Sequence, residues 1–217
     1  TILKVIHTYN GLVGKLLHRP EVKYLKEEAE KGTFGEIYFA RAKAVRRRAV
    51  PTWGVFLDEE KQGGGPLIDI GTHSLDLTLY VMNNYRPKYA VGTVYHKLND
   101  QTRTANAWGD WDPEKFTVED SAFGFVVMEN GATISIDSSW ALNYADAGEA
   151  QTLICGTKAG ATLEPLTIYT EDADGYLTDN QVTTKPQDIF DAEIEHFLDC
   201  VRTGRTPMSN LQDGVTL

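Results

Sequence analysis

Gly63-Gly64-Gly65-Pro66-Leu67-Ile68-Asp69-Ile70-Gly71-Thr72-His73-Ser74-Leu75-Asp76-Leu77-Thr78-Leu79-Tyr80 is the stretch from which the rest of the chain can be read. Three glycines and a proline precede apolar residues at helical spacing: Leu67, Ile70, Leu75, Leu77, Leu79 and Val81. Pro66 suits a first helical turn, where its missing N–H is no loss and its φ is already set. On the predicted helix Asp69, His73 and Asp76 stand at i, i+4 and i+7 and share one face. Two carboxylates and an imidazole on an otherwise apolar helix need hydrogen-bond partners, a metal or a reaction. The plain alternative has His73 bonded to Asp69 or Asp76 inside an ordinary core. The glycines add a second reading, because a side-chain-free opening lets another backbone or a ligand come close to the helix start.

Further stretches stand around this one in order: Lys31-Gly32-Thr33-Phe34-Gly35-Glu36-Ile37, Val118-Glu119-Asp120, Ser139-Trp140-Ala141 and Gly156-Thr157-Lys158-Ala159-Gly160. Together with GGGPLIDIGTHSLDL they resemble the second domain of the glucose–fructose oxidoreductase / inositol dehydrogenase / MocA (Gfo/Idh/MocA) family of nicotinamide-dependent oxidoreductases. The resemblance covers roughly residues 20 to 210. It implies an α+β fold: a large open mixed, mainly antiparallel sheet with helices packed on one face and the other face available for oligomerisation. It implies catalytic roles for Asp69 and His73, which match the family's helix Asp and His. It also implies a lysine from a Glu-Lys-Pro motif in a preceding dinucleotide-binding domain. That motif is absent here, since Lys185-Pro186 follows Thr184, and no G-x-G-x-x-G occurs. Residues 1–19 are therefore expected to be a remnant of, or linker from, the dinucleotide-binding domain, and 20–217 a substrate-binding and oligomerisation domain. NAD or NADP would be held mainly outside this chain, with Gly64 and Gly65 as its contacts here.

Composition bounds what remains. With 217 residues and 41% hydrophobic content the chain fits one large domain, or one domain with a fragment of another, and can bury a core. No apolar run approaches the roughly 18 residues of a membrane span, and Thr1 to Leu17 lacks a signal-peptide pattern. Cys155 and Cys200 are isolated, as expected of reduced thiols in a cytoplasmic protein. The net charge of −10 argues against a nucleic-acid partner. Residues 1–50 nevertheless carry eleven Lys or Arg against five Glu, densest at Arg46-Arg47-Arg48. Such a run is either a solvated strand end or an attraction for a cofactor phosphate or anionic sugar, which makes Arg46 a candidate substrate contact.

Along the chain, loose alternation predicts a strand over Ile2 to Tyr9. Gly11-Leu12-Val13-Gly14-Lys15 departs from a phosphate loop, with Tyr9 and Leu16 where Gly and Ser or Thr are needed. A helix is expected from Glu21 to Lys31 and a strand from Gly35 to Arg47. A loop broken by Pro51 and Gly54 then carries Trp53 to the mouth of the glycine run, as packing or as a face for a sugar ring. Lys88 to Lys97 reads as a strand, and polar Asn99 to Phe116 as an excursion over a site or partner surface. Asn130-Gly131 marks a hairpin; Gly156-Thr157-Lys158 and Asp174-Gly175 mark later turns. Asp188 to Arg202 is an amphipathic helix expected to face Ile189, Phe190, Ile194, Phe197, Leu198 and Val201 inward and to leave His196 on a solvated face.

Hydride transfer from a sugar-like alcohol to a nicotinamide needs a base for the hydroxyl proton, and His73 suits that role with Asp69 orienting it. Asp76 reads as structural. The expected whole is an NAD(P)-dependent oxidoreductase acting on a sugar, cyclitol or diol, assembled as a homodimer or homotetramer through the open sheet face. Two other readings remain: a non-catalytic assembly domain that keeps the scaffold, and a metal-dependent hydrolase or isomerase using Asp69, His73 and Asp76.

Overall fold

In a computed structural model, which describes residues 14–101 and 105–217, the chain is α+β. A short 3-10 turn (Gly14–His18) leads to helix α1 (Pro20–Glu30) and strand β1 (Ile37–Val45). Helix α2 (Glu59–Gln62) precedes a single π-helical turn (Leu67–Gly71) that runs directly into α3 (Thr72–Met82). Strands β2 (Pro87–Tyr95), β3 (Ser121–Met128), β4 (Thr133–Ser139), β5 (Gly148–Gly156), β6 (Gly160–Thr162), β7 (Thr167–Glu171) and β8 (Leu177–Gln181) follow. Helices α4 (Ile189–Thr203) and α5 (Leu211–Thr216) close the chain.

The strands hydrogen-bond in the order β2-β3-β4-β1-β5-β6-β7-β8. β1 and β4 run parallel, from Phe39↔Thr133 to Val45↔Ser139. The pairs β2–β3, β3–β4, β5–β6, β6–β7 and β7–β8 are antiparallel. The mixed, mainly antiparallel sheet implied by the resemblance is therefore present. Its best-marked hairpin, β3–β4, turns on Asn130-Gly131, where Gly131 takes φ 88° at no steric cost.

Two compact units interleave along the chain. One spans 39–75 and 87–152. Its core gathers Ala44, Val50, Ile70, Leu98, Trp111, Phe116, Val118, Trp140 and Ala141. The other comprises, among the described residues, 14–38, 76–86 and 153–217. There α1 begins on Pro20, buries Val22 and Leu25, and stops before Gly32, whose φ of 78° ends the helix.

Helix α4 begins on the Asp188 side chain, which accepts from the N–H groups of Phe190 and Asp191, and ends at Gly204 with φ 72°. Its sidedness departs from expectation. Ala192 and Cys200 are buried and Ile189 and Phe197 half-buried, whereas Phe190, Ile194, Leu198 and Val201 are exposed. Four of the six apolar residues expected to face inward face out. His196 also differs: it is half-buried, its Nε2 accepts from the Met208 N–H at 3.0 Å, and its ring lies 5.2 Å from that of buried His18. Burial lowers the pKa of both imidazoles, His18 to about 4. The strand expected over Ile2 to Tyr9, the Gly11–Val13 stretch and most of the proposed 1–19 segment lie outside the described residues.

Candidate active site

The site is built where the glycine run meets β3 and β4. Glu119 stands two residues before β3, and its carboxylate accepts from the N–H of Gly65 at 2.7 Å and of Leu67 at 3.3 Å. These are donors that a helix start leaves unpaired. A Cβ at position 65 would lie 2.0 Å from the Glu119 carbonyl oxygen, so only glycine fits there. Ser138 of β4 donates to the Pro66 carbonyl at 2.7 Å, and a Cβ at Gly71 would come within 3.0 Å of the same hydroxyl. The close approach predicted at the glycines is real, and the approaching groups are Glu119 and Ser138. Gly64 is buried beside them.

Asp69 emerges from this anchored turn. Trp140 Nε1 donates to its Oδ2 at 2.8 Å, and Arg46 Nη1 lies 3.8 Å from the same oxygen. Trp140 is fully buried in the core against Phe116, so the donor cannot move away. The Asp69 side chain keeps 18% exposure. His73 follows one turn later and is half-buried. The structure thus brings Asp69, Arg46 and Trp140 together and puts His73 at the next position along the helix.

Arg46 is held on several sides. It grips Glu149 through Nε and Nη2 at 2.5 and 3.0 Å and donates from Nη1 to the Ala49 carbonyl at 3.2 Å. Its guanidinium lies 5.2 Å from the centre of the Trp108 ring. Trp108 meets Trp53 edge-on at 4.8 Å and 83°, and Trp53 meets Phe56 at 5.8 Å. Arg48 likewise donates to Ala141 O and Asn143 Oδ1. Two arginines of the basic run therefore fasten loops, while Arg47 is exposed.

Asp76 has other company. It is 4% exposed, Tyr85 Oη donates to its Oδ1 at 2.6 Å, and burial raises its carboxyl to about 6. Each helix carboxylate is thus spent on its own partner. Among the described residues no group of three or more His, Cys, Asp or Glu is arranged to hold a metal ion.

Sequence reasoning missed Glu119, Trp140 and Trp108 as parts of this site. Glu119 and Trp140 lie in stretches that carried the resemblance, and the structure gives their physical reason: they hold the helix start and Asp69. Trp108 sits in the polar excursion, where the stretch Trp108-Gly109-Asp110-Trp111 is the only signal. Beyond Trp53, residues 52–61 and 110–117 enclose a cleft of about 730 Å³. No helix among the described residues is long and apolar enough to cross a membrane.

The chain is similar to known sugar-active proteins. D-glucoside 3-dehydrogenase of Escherichia coli (strain K12) is 42% identical over 152 residues, which are 70% of this chain and 43% of that protein. The chain therefore spans less than half the length of this curated relative. The crystal structure of aldose-aldose oxidoreductase from Caulobacter crescentus, complexed with glycerol, matches with TM-score 0.72 at 18% identity over 94% of this chain and 56% of that one. Levoglucosan dehydrogenase in complex with NADH matches with TM-score 0.72 at 17% identity over 92% of this chain and 58% of that one. The model of the GFO/IDH/MocA C-terminal domain matches residues 22–162, and with the sheet, the anchored glycine turn and Asp69 in place the chain belongs to that family.

Proposed function

We propose that this chain is the substrate-binding and oligomerisation part of an NAD(P)-dependent oxidoreductase acting on a hydroxyl of a sugar, cyclitol or diol. The observation that carries the reading is Asp69, fixed by a buried Trp140 donor and by Arg46, one turn before His73. The 42% identity to a protein named D-glucoside 3-dehydrogenase supports the sugar class.

His73 receives the proton of the reacting hydroxyl, and Asp69 sets the direction of the hydroxyl or of the imidazole. Rigid placement matters because a proton acceptor misplaced by about 1 Å loses much of its effect. Arg46 acts through others, holding Asp69 on one side and Trp108 on the other. Trp53 offers the substrate an apolar ring face. The nicotinamide supplies a hydride acceptor when bound. Gly64 and Gly65 would border that group without holding its phosphates, because the Gly65 N–H is already taken by Glu119. The phosphates would be held outside this chain.

The assembly role draws support from β2, exposed along its whole length, with Tyr89, Val91 and Val94 each more than half exposed. Sedimentation equilibrium tests it, and a monomer at micromolar concentration removes that half of the reading. For catalysis, initial rates with NAD and NADP over a panel of neutral sugars, cyclitols and diols are decisive. Turnover of none of them by the active enzyme overturns the substrate class.

A further inference from the structure

We propose that the cleft between residues 52–61 and 110–117 binds a second, uncharged sugar ring, so that the substrate is a glycoside with its reacting ring at Asp69 and His73 and its other ring on Trp53. This rests on the sugar reading above and adds to it a site and a shape for the ligand.

The cleft neighbours the site through a short series of contacts. Asp69 lies 3.8 Å from Arg46, Arg46 lies 5.2 Å from the Trp108 ring, and Trp108 lies 4.8 Å from Trp53. Trp53 is 50% exposed, yet Trp108 and Phe56 brace it edge-on. An indole left facing solvent but held still is a preorganised platform, costing a ligand little ordering entropy. Sugar rings present a face of C–H groups that suits it.

The wall supplies the polar half of the recognition. Carboxylates outnumber lysines along the cleft six to two. Both lysines are already paired, Lys61 with Asp58 and Lys115 with Asp112. What faces a ligand is therefore a set of acceptors such as Asp110, suited to hydroxyl donors and repelling phosphate. On the same wall Trp111, 7% exposed, has a buried indole N–H with no acceptor among the described residues. A volume of about 730 Å³ lies within the usual range of roughly 300–1,000 Å³ for small-ligand sites.

Saturation-transfer NMR and calorimetry on the 217-residue chain test this with methyl β-glucoside, cellobiose and UDP-glucose as probes. Cellobiose should bind about tenfold more tightly than methyl β-glucoside, and UDP-glucose no more tightly than methyl β-glucoside. Trp53→Ala, and separately Asp110→Ala at an exposed carboxylate, should each shrink the cellobiose preference. Equal affinity for the two neutral probes, or a preference unmoved by either variant, overturns the second subsite and leaves the sugar reading standing. Tighter binding of UDP-glucose overturns the exclusion of phosphate. Absence of saturation transfer from every probe overturns the sugar reading and this inference with it.

Discussion

Asp69 and Asp76 sit seven positions apart on one continuous helical run, and their surroundings differ in kind. Asp69 keeps part of its surface open and takes a 2.8 Å hydrogen bond from Trp140, with Arg46 close by. Asp76 is almost wholly buried, meets the Tyr85 hydroxyl, and has its carboxyl raised to about 6 by desolvation. The first carboxylate is presented; the second is stored. Helical spacing gives both the same face, so the difference comes from what the rest of the chain brings to each position.

The largest expected effect tests whether presentation means catalysis. In the active enzyme, His73→Ala or Asp69→Asn should lower kcat by about 10²–10⁴-fold with much smaller changes in KM. Asp76→Asn should leave kcat within a few-fold. Steady-state kinetics of the three variants decide it, and an equal loss in Asp76→Asn erases the contrast.

The next effect concerns stability and pH. The folded-state pKa of Asp76, about 6, lies above its ordinary value of 3.8, so the folded state binds this proton more tightly. That contribution is present below about pH 4 and is lost as pH rises through about 6, a swing of about 3 kcal/mol. His18 acts in the opposite sense. Its pKa is lowered from 6.5 to about 4, so its contribution is present above 6.5 and is lost as pH falls toward 4. The two slopes offset one another across this window. Urea unfolding of Asp76→Asn along pH should expose the His18 limb as stability falling with acid; a profile parallel to the wild type contradicts the assignment. Asp76→Ala should cost about 1–3 kcal/mol at acid pH, because the Tyr85 hydroxyl loses its 2.6 Å acceptor and keeps only the residue-76 carbonyl at 3.3 Å.

The smallest effect sharpens the other side of the comparison. Trp140→Phe keeps most of the core ring and removes the Asp69 donor. It should cost about tenfold in kcat, near 1.4 kcal/mol, and lower Tm by only a few degrees. Unchanged turnover would show that Arg46 alone suffices to place Asp69.

Local signals carried much of this molecule. The Asn-Gly hairpin, the Pro20 start and Gly32 stop of α1, the Asp188 cap of α4 and the run from Pro66 to Met82 are set by residues within a few positions of one another. What stayed hidden depends on distant partners. A glycine at 65 announces that something comes close, but only the folded chain says that it is the carbonyl of Glu119, 54 residues on. The α4 stripe shows the same limit, since periodicity reveals that one face is apolar without saying what lies against it. The acidic sequence neighbours of His196 suggest a solvated face, whereas its neighbours in the fold are His18 and the Met208 amide.

The π-helical turn at Leu67–Gly71 makes this stretch sensitive to length. Its widened turn closes with the Thr72 N–H on the Leu67 carbonyl, five residues back rather than four. Removing one residue there would restore ordinary α-helical bonding, so the helix itself would survive. The extra residue is taken up within the turn itself, so α3 and His73 beyond it would keep their phase. What a deletion would change is the turn that carries Asp69, and with it the placement of that carboxylate against Trp140 and Arg46.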